Sequence, residues 1–260
     1  MMESRRKTEE ILWVTGLHGI ARSLYRATTG RTRTALFHSM QAFYRERISP
    51  GALVFDIGAN VGLFSEVFAS LGSRVVALEP NADCVRHIQI SYPNTGIEVL
   101  QVAVGSQNGL AVLNVSDKRD DISSLSKDWI RAVEQQHAEY SGLWSKQLTV
   151  PVVTVDTLIE RYGAPDFIKI DVEGFEEFVL DGLSVQPPLL SFEFNAAYSD
   201  AAMRCLNKNL FVGSSVFNFT LGDPVRFELN RWVSAVELIA AISTFEERDM
   251  HGDIFVRRPG

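Results

Sequence analysis

The stretch from Leu53 to Ala69 limits the fold more than any other. Leu53–Ile57 is a short apolar run broken by one acid, Asp56. Gly58 and Gly62 follow, four residues apart, and Leu63-Phe64-Ser65-Glu66-Val67-Phe68-Ala69 then carries apolar residues at helical spacing. This reads as strand, tight glycine turn, helix. A helix begun at such a turn points unpaired N–H groups into the crevice at the strand's carboxyl end, where open α/β sheets bind ligands.

The glycine spacing narrows the ligand. A dinucleotide fingerprint needs glycine at the first, third and sixth positions. Counted from Gly58, those positions hold Gly58, Asn60 and Leu63, so the fingerprint fails. What remains is Asp-x-Gly-x-x-x-Gly. An acid at the mouth of the first strand repels a pyrophosphate and suits a ligand that brings a cation. S-adenosylmethionine carries an ammonium and a sulfonium and no phosphate. Downstream, Arg74-Val75-Val76-Ala77-Leu78 ends in Glu79. An acid at the end of a second strand can accept hydrogen bonds from both ribose hydroxyls.

Composition bounds the rest. With 260 residues, 46% hydrophobic and 22% charged, the chain is ordinary globular material with room for one large α/β domain. A net charge of −7 argues against a nucleic-acid partner. Two cysteines, Cys84 and Cys205, are too few for a disulfide framework or a cysteine zinc site and fit a reducing cytoplasm. No apolar run approaches the ~20 residues of a membrane span. The N-terminus lacks the small-residue cleavage site of a signal peptide.

Residues 1–50 read as a helical extension. They hold nine Lys or Arg against four acids, which leaves this segment at +5 and the remainder at −12. Ile11, Leu12, Gly16 and Ile20 suggest one helix; Leu36, Phe37, Met40, Phe43 and Tyr44 suggest a second. The plain expectation is that these helices pack on the core with solvated basic faces. The sharper one is a basic wall for an anionic acceptor.

Residues 51–260 read as one domain. Pro80-Asn81-Ala82-Asp83 reads as a turn that can cap a helix over Cys84–Ile90. Ile97 to Val104 reads as a third strand, with Val102 near its end where an adenine would lodge, and Leu110–Val115 as a further strand in hairpin geometry with it. Ser116 to Lys146 is an insert with a helical pattern around Trp129, Ile130 and Val133, suited to a lid over the acceptor. In Gln147–Val153, Pro151 points to an edge strand. Phe167-Ile168-Lys169-Ile170-Asp171 is a buried strand that ends in an acid. Pro188–Asn195 is another, and two late strands around Phe217 and Phe255 would pair antiparallel to complete seven.

Four blocks together resemble the FkbM family of S-adenosylmethionine-dependent methyltransferases. They are Phe55-Asp56-Ile57-Gly58-Ala59-Asn60-Val61-Gly62, Ala77-Leu78-Glu79-Pro80-Asn81, Thr154-Val155-Asp156-Thr157-Leu158, and Asp166 through Glu176 with Lys169-Ile170-Asp171-Val172-Glu173-Gly174 at its centre. The resemblance implies a Rossmann-like class I methyltransferase: a seven-stranded, mostly parallel sheet with helices on both faces, preceded here by N-terminal helices. It implies methylation of a hydroxyl on a small molecule, often a sugar or secondary metabolite. By the family's motifs Asp56, Gly58, Asn60, Gly62 and Glu79 bind the cofactor, with Pro80, Asn81, Val102 and Asp171 beside them.

For proton removal the candidates are Asp171, Glu173 and Lys169. Lys169 and Asp171 fall on one strand face, so a buried ion pair is the competing role for the lysine. Asp171, Glu193 and Asn195 together would make an oxygen cage for Mg²⁺. A homodimer is compatible with these features. Two other classes stay open: a cofactor-binding protein of this fold without turnover, and a nicotinamide-dependent oxidoreductase, which the failed glycine spacing disfavours.

Overall fold

The computed structural model describes residues 30–116, 122–195, 199–211, 213, 215–243 and 251–258. The helix expected around Ile11–Ile20, and most of the basic residues of the first fifty, lie outside this range.

In chain order the elements are α1 (Gly30–Arg45), β1 (Leu53–Ile57), α2 (Leu63–Ser70), β2 (Arg74–Leu78), α3 (Ala82–Ser91), β3 (Ile97–Leu100), β4 (Ala103–Val104), β5 (Gly109–Val115) and α4 (Lys127–Gln136). There follow β6 (Lys146–Val153), α5 (Val155–Tyr162), β7 (Phe167–Ile170), α6 (Glu176–Asp181), β8 (Leu189–Asn195), α7 (Ser199–Leu206), β9 (Val216–Phe219), α8 (Ala235–Ile242) and β10 (His251–Arg257). The main sheet has seven strands in the order β3-β2-β1-β7-β8-β10-β9. Neighbours run parallel from β3 to β8, whereas β10 is antiparallel to both β8 and β9. This is the class I methyltransferase arrangement expected from the motifs.

The period-two pattern of the strands sorts the core. Phe55, Ile57, Ile168, Ile170, Leu190 and Phe192 face α5, α6, α7 and α8, where Leu158, Val179, Leu206 and Leu238 meet them. The alternate set, with Val54, Phe167, Leu189 and Phe255, faces α1 and α2 and meets Met40, Phe43, Tyr44, Val67 and Phe68. So α1 packs on the core through its apolar stripe, as the plain expectation had it. Asp56, Lys169, Ser191 and Asp253 share the parity of this second set, so the face becomes polar towards the carboxyl end of the sheet.

Three expectations about the middle of the chain are corrected. The run from Ile97 to Val104 is two strands. The Val102 N–H donates to the Leu100 carbonyl at 3.0 Å, a tight turn that ends β3 and sends β4 into a separate sheet of order β4-β6-β5. The partner of β5 is therefore β6, antiparallel, and not the third strand. Pro151 does not make β6 an edge strand either, because β6 is the middle of the three. β4 pairs only with Val152 and Val153, so Pro151 sits where β6 has one neighbour and its missing N–H costs no ladder bond. Among the described residues no helix is long and apolar enough to cross a membrane.

Candidate functional site

The chain reverses its winding between β1 and β7: β2 and β3 build outward from β1, and β8 builds outward from β7. A cavity of about 490 Å³ opens at the carboxyl ends of these strands. Ile57, Gly58, Ala59, Asn60 and Val61 come from the turn after β1, and Leu78, Glu79 and Pro80 from the end of β2. Val102 to Val104 line one wall, Asp171, Val172 and Glu173 follow β7, and Ser123, Leu125 and Asp223 come from loops. Four of these groups are acids: Glu79, Asp171, Glu173 and Asp223. Among the described lining residues none is a Lys, Arg or His.

The turn after β1 is built by left-handed backbone. Gly58 has φ +82°, Asn60 +48° and Gly62 +84°. Glu79 locks it: its carboxylate accepts from the Asn60 N–H at 2.9 Å and from the Asn81 N–H at 2.7 Å. Asn81 is spent on the fold, since its side chain caps α3 by accepting from Asp83 N–H. Gly62 does not line the cavity; it starts α2, where a Cβ would come within 2.9 Å of Ile88 and Tyr92.

Asp56 is placed differently from the expectation. It is 1% exposed and absent from the cavity lining. Its carboxylate accepts from Ser65 Oγ at 2.5 Å, and it sits across the β1–β7 ladder from Lys169. Lys169 is also 1% exposed. Its ammonium donates to Asp171 Oδ2 at 2.6 Å, lies 3.9 Å from Asp253 Oδ1 and 4.1 Å from the Phe64 ring centroid. Burial alone would lower its pKa, but Asp171, Asp253 and Asp56 together hold it above its ordinary value. A lysine so held is a poor base, and the ion-pair role is the one its surroundings fit. Sequence periodicity placed Lys169 and Asp171 on one face; Ser65 and Asp253, which complete the network, gave no signal of their own.

The loop after β7 carries two of the cavity's carboxylates, Asp171 and Glu173. Glu173 is held at φ +53°, an uncommon conformation for a residue with a side chain. Glu176 supports it from below, accepting from Val172 N–H at 3.2 Å and Gly174 N–H at 3.1 Å. From above, Ser124 Oγ donates to the Glu173 carbonyl at 2.7 Å. Trp129 packs so closely on Gly174 that a Cβ there would lie 2.4 Å from the indole. Ile122, Trp129 and Leu143 form a small apolar cluster of the insert, with Trp144 donating to the Ile122 carbonyl.

Of the expected oxygen cage, Asp171 and Glu193 come together with Glu173: carboxylate oxygens of the three lie within 4.8 Å of one another. Burial first, then the neighbouring Glu173 and Asp171 charges, raise the Glu193 pKa well above the carboxylate range.

Burial also pushes Asp56 and Asp253 up to about 6, and Glu79 and Glu176 up to about 7, against their hydrogen-bond and ion-pair partners. Unfolded carboxylates titrate near 4. The native state thus binds more protons than the unfolded chain between about pH 4 and 7, and its stability falls as pH rises through that window. The ligand-free protein is expected to melt at a higher temperature at pH 5 than at pH 8. A Tm that increases from pH 5 to pH 8 would contradict these buried carboxylates.

A model of the family described as "Methyltransferase FkbM domain" matches residues 56–214. No curated protein matches the sequence. Among solved structures, the chain is similar to a precorrin-6Y C5,15-methyltransferase from Geobacter metallireducens, with 11% identity, 88% of this chain and 89% of that one covered, and a TM-score of 0.43. It is similar to an rRNA methylase from Streptococcus thermophilus at 12% identity, covering 85% and 94%, with a TM-score of 0.41. A TehB-like SAM-dependent methyltransferase from Corynebacterium glutamicum gives 10%, 92% and 99%, with 0.40.

Proposed function

Since the family model covers more than half of its length, the chain belongs to the FkbM methyltransferases, and on that premise we propose that it moves a methyl group from S-adenosylmethionine to a hydroxyl of a small acceptor, of the sugar or secondary-metabolite kind. One observation carries the choice of cofactor. Among the described residues, the cavity at the switch point is lined by four acids and no base. That lining favours a ligand bearing an ammonium and a sulfonium and opposes a pyrophosphate or a phosphodiester backbone.

The residues fit the cofactor. Glu79 keeps acceptor capacity for ribose hydroxyls at the end of β2, Val102 offers an apolar wall for the adenine, and the turn Gly58–Val61 brings backbone close to the ligand. When bound, S-adenosylmethionine supplies an electrophilic methyl group on a positive sulfur.

The chain's own task is to hold the acceptor hydroxyl in line and receive its proton. Asp171 stands at the rim, its side chain 29% exposed, with one oxygen held by Lys169. Glu173 is held beside it in the left-handed conformation. In this reading Asp171 orients the hydroxyl by accepting its hydrogen bond. The proton passes to a carboxylate oxygen of the Asp171, Glu173 and Glu193 group, whose crowding favours uptake. The insert over residues 122–144, fastened to the loop through Ser124 and Trp129, serves as the acceptor's cover and limits water.

Calorimetric titration of S-adenosylhomocysteine, and separately of NAD, tests this. Saturable binding of the former alone is expected. Its affinity should increase as pH rises through about 7, where Glu79 ionises. Glu79→Ala should weaken it ten- to a hundredfold, the range of a hydrogen bond to a charged group. Tight NAD binding would overturn the cofactor assignment. Cofactor binding with no methyl uptake by any hydroxylated acceptor would reduce the protein to a binding module.

A further inference from the structure

A second cavity lies at the opposite, amino-terminal end of the sheet. Its volume is about 710 Å³. It is bounded by the segment after α1, the starts of β7 and β8, and the end of β10. Parallel strands point these ends away from Glu79 and Asp171, so it is not a subsite of the methyl-transfer cavity.

Its charge is opposite in kind. Arg47, Arg257 and Arg258 line it, against Glu46 and Asp166. Both acids are already committed. Asp166 accepts from the Leu53 N–H at 2.8 Å. Glu46, 77% exposed, meets Arg47 from the solvent side at 3.3 Å, where an ion pair contributes little. The arginines are held by aromatic rings. The Arg47 guanidinium lies 3.7 Å from the Phe43 ring centroid and 4.5 Å from that of Phe227, and Arg257 lies 4.5 Å from the Trp232 ring. Stacking occupies the guanidinium faces and leaves edges as in-plane donors; on Arg47, Nη1 already donates to the Phe43 carbonyl and to Glu46, while its buried Nε has no hydrogen-bond partner among the described residues. Burial lowers the Arg47 pKa, with Glu46 offsetting it in part, so an anion in the cleft would stabilise its charge.

We propose that this cleft binds a phosphate group, carried by a soluble phosphorylated ligand or by a phospholipid headgroup. Three guanidiniums offer more donors than Glu46 and Asp166 can accept, whereas a phosphate group presents three strong acceptor oxygens.

The test titrates inorganic pyrophosphate calorimetrically into the full chain at low salt, then sediments the protein with phosphatidylcholine vesicles with and without phosphatidylglycerol. Saturable pyrophosphate binding is expected, at least tenfold weaker in Arg257→Ala/Arg258→Ala with an unchanged Tm. If the alanine pair fails to fold, Arg257→Gln/Arg258→Gln takes its place under the same criterion. Sedimentation with anionic vesicles, reversed by pyrophosphate, identifies a headgroup; pyrophosphate binding without sedimentation identifies a soluble ligand. No saturable binding in either arm, or equal affinity in the double variant, overturns the proposal. Titration of S-adenosylhomocysteine reports the other cavity, so failure there leaves this result readable.

Discussion

Lys169→Met is expected to lower the stability of the protein by about 3–5 kcal/mol, the cost of removing one partner from a buried ionic group. Domains of this kind have about 5–15 kcal/mol in all. Methionine matches the length of the lysine stem, so the loss does not come from a void. It comes from Asp56 and Asp253, buried at 1% and 4% exposure, and from Asp171, which loses its 2.6 Å ion pair. The defect should depend on pH in a stated direction. Asp56 and Asp253 titrate at about 6 with the ammonium present. Without it both would bind protons more tightly, so the variant should lose least near pH 5 and most near pH 8. Urea unfolding at those two pH values measures this. A loss under about 1 kcal/mol at pH 8 would mean that Lys169 is not the counter-ion of this network.

Gly58→Ala should be as damaging through sterics alone. The residue has φ +82°, and a Cβ there would lie 1.7 Å from the Asp171 carbonyl oxygen. Neither side can yield. The Gly58 N–H donates to the Leu78 carbonyl at 2.9 Å, and the Asp171 N–H to the Ile57 carbonyl at 2.9 Å. The β1 and β7 loops would have to separate, which should cost about 3 kcal/mol or more and abolish measurable cofactor binding. Gly51→Ala is the control. It has almost the same φ, +83°, with nothing within 4 Å of the added carbon. It should show only the intrinsic cost of left-handed backbone, about 1–2 kcal/mol, with cofactor binding retained. Equal effects at the two positions would show that backbone strain, not the approach to Asp171, explains Gly58.

Gly58 also shows how motif reading falls short. Its spacing from Asp56 and Gly62 announced a ligand turn, and the turn does line the cavity. The reason for glycine there, though, is the passage of another strand's loop, 113 residues away in sequence. Asp56 is the reverse case: its place in the motif suggested contact with the cofactor, while its side chain turns under the sheet to Ser65 and the lysine network.

What the sequence determined by itself was local or periodic. The order of strands and helices followed from short apolar runs and helical spacing, because each depends on neighbours within a few residues. The capping turn after Pro80, the burial of the Phe167–Ile170 strand and the parity that pairs Lys169 with Asp171 belong to the same class. The tertiary structure alone decided what depends on distant partners. It split the run after Ile97 between two sheets, because Ala103 and Val104 find β6 rather than β2. It added Glu173 to the carboxylates of Asp171 and Glu193, because the loop after β7 turns at φ +53° under Ser124 and Glu176. It brought Ser123, Leu125 and Asp223 to the cavity, and Arg47, Arg257 and Arg258 together at the other end. A side chain's neighbours along the chain set its backbone preferences, but its charge state and contacts are set by whatever the fold packs against it.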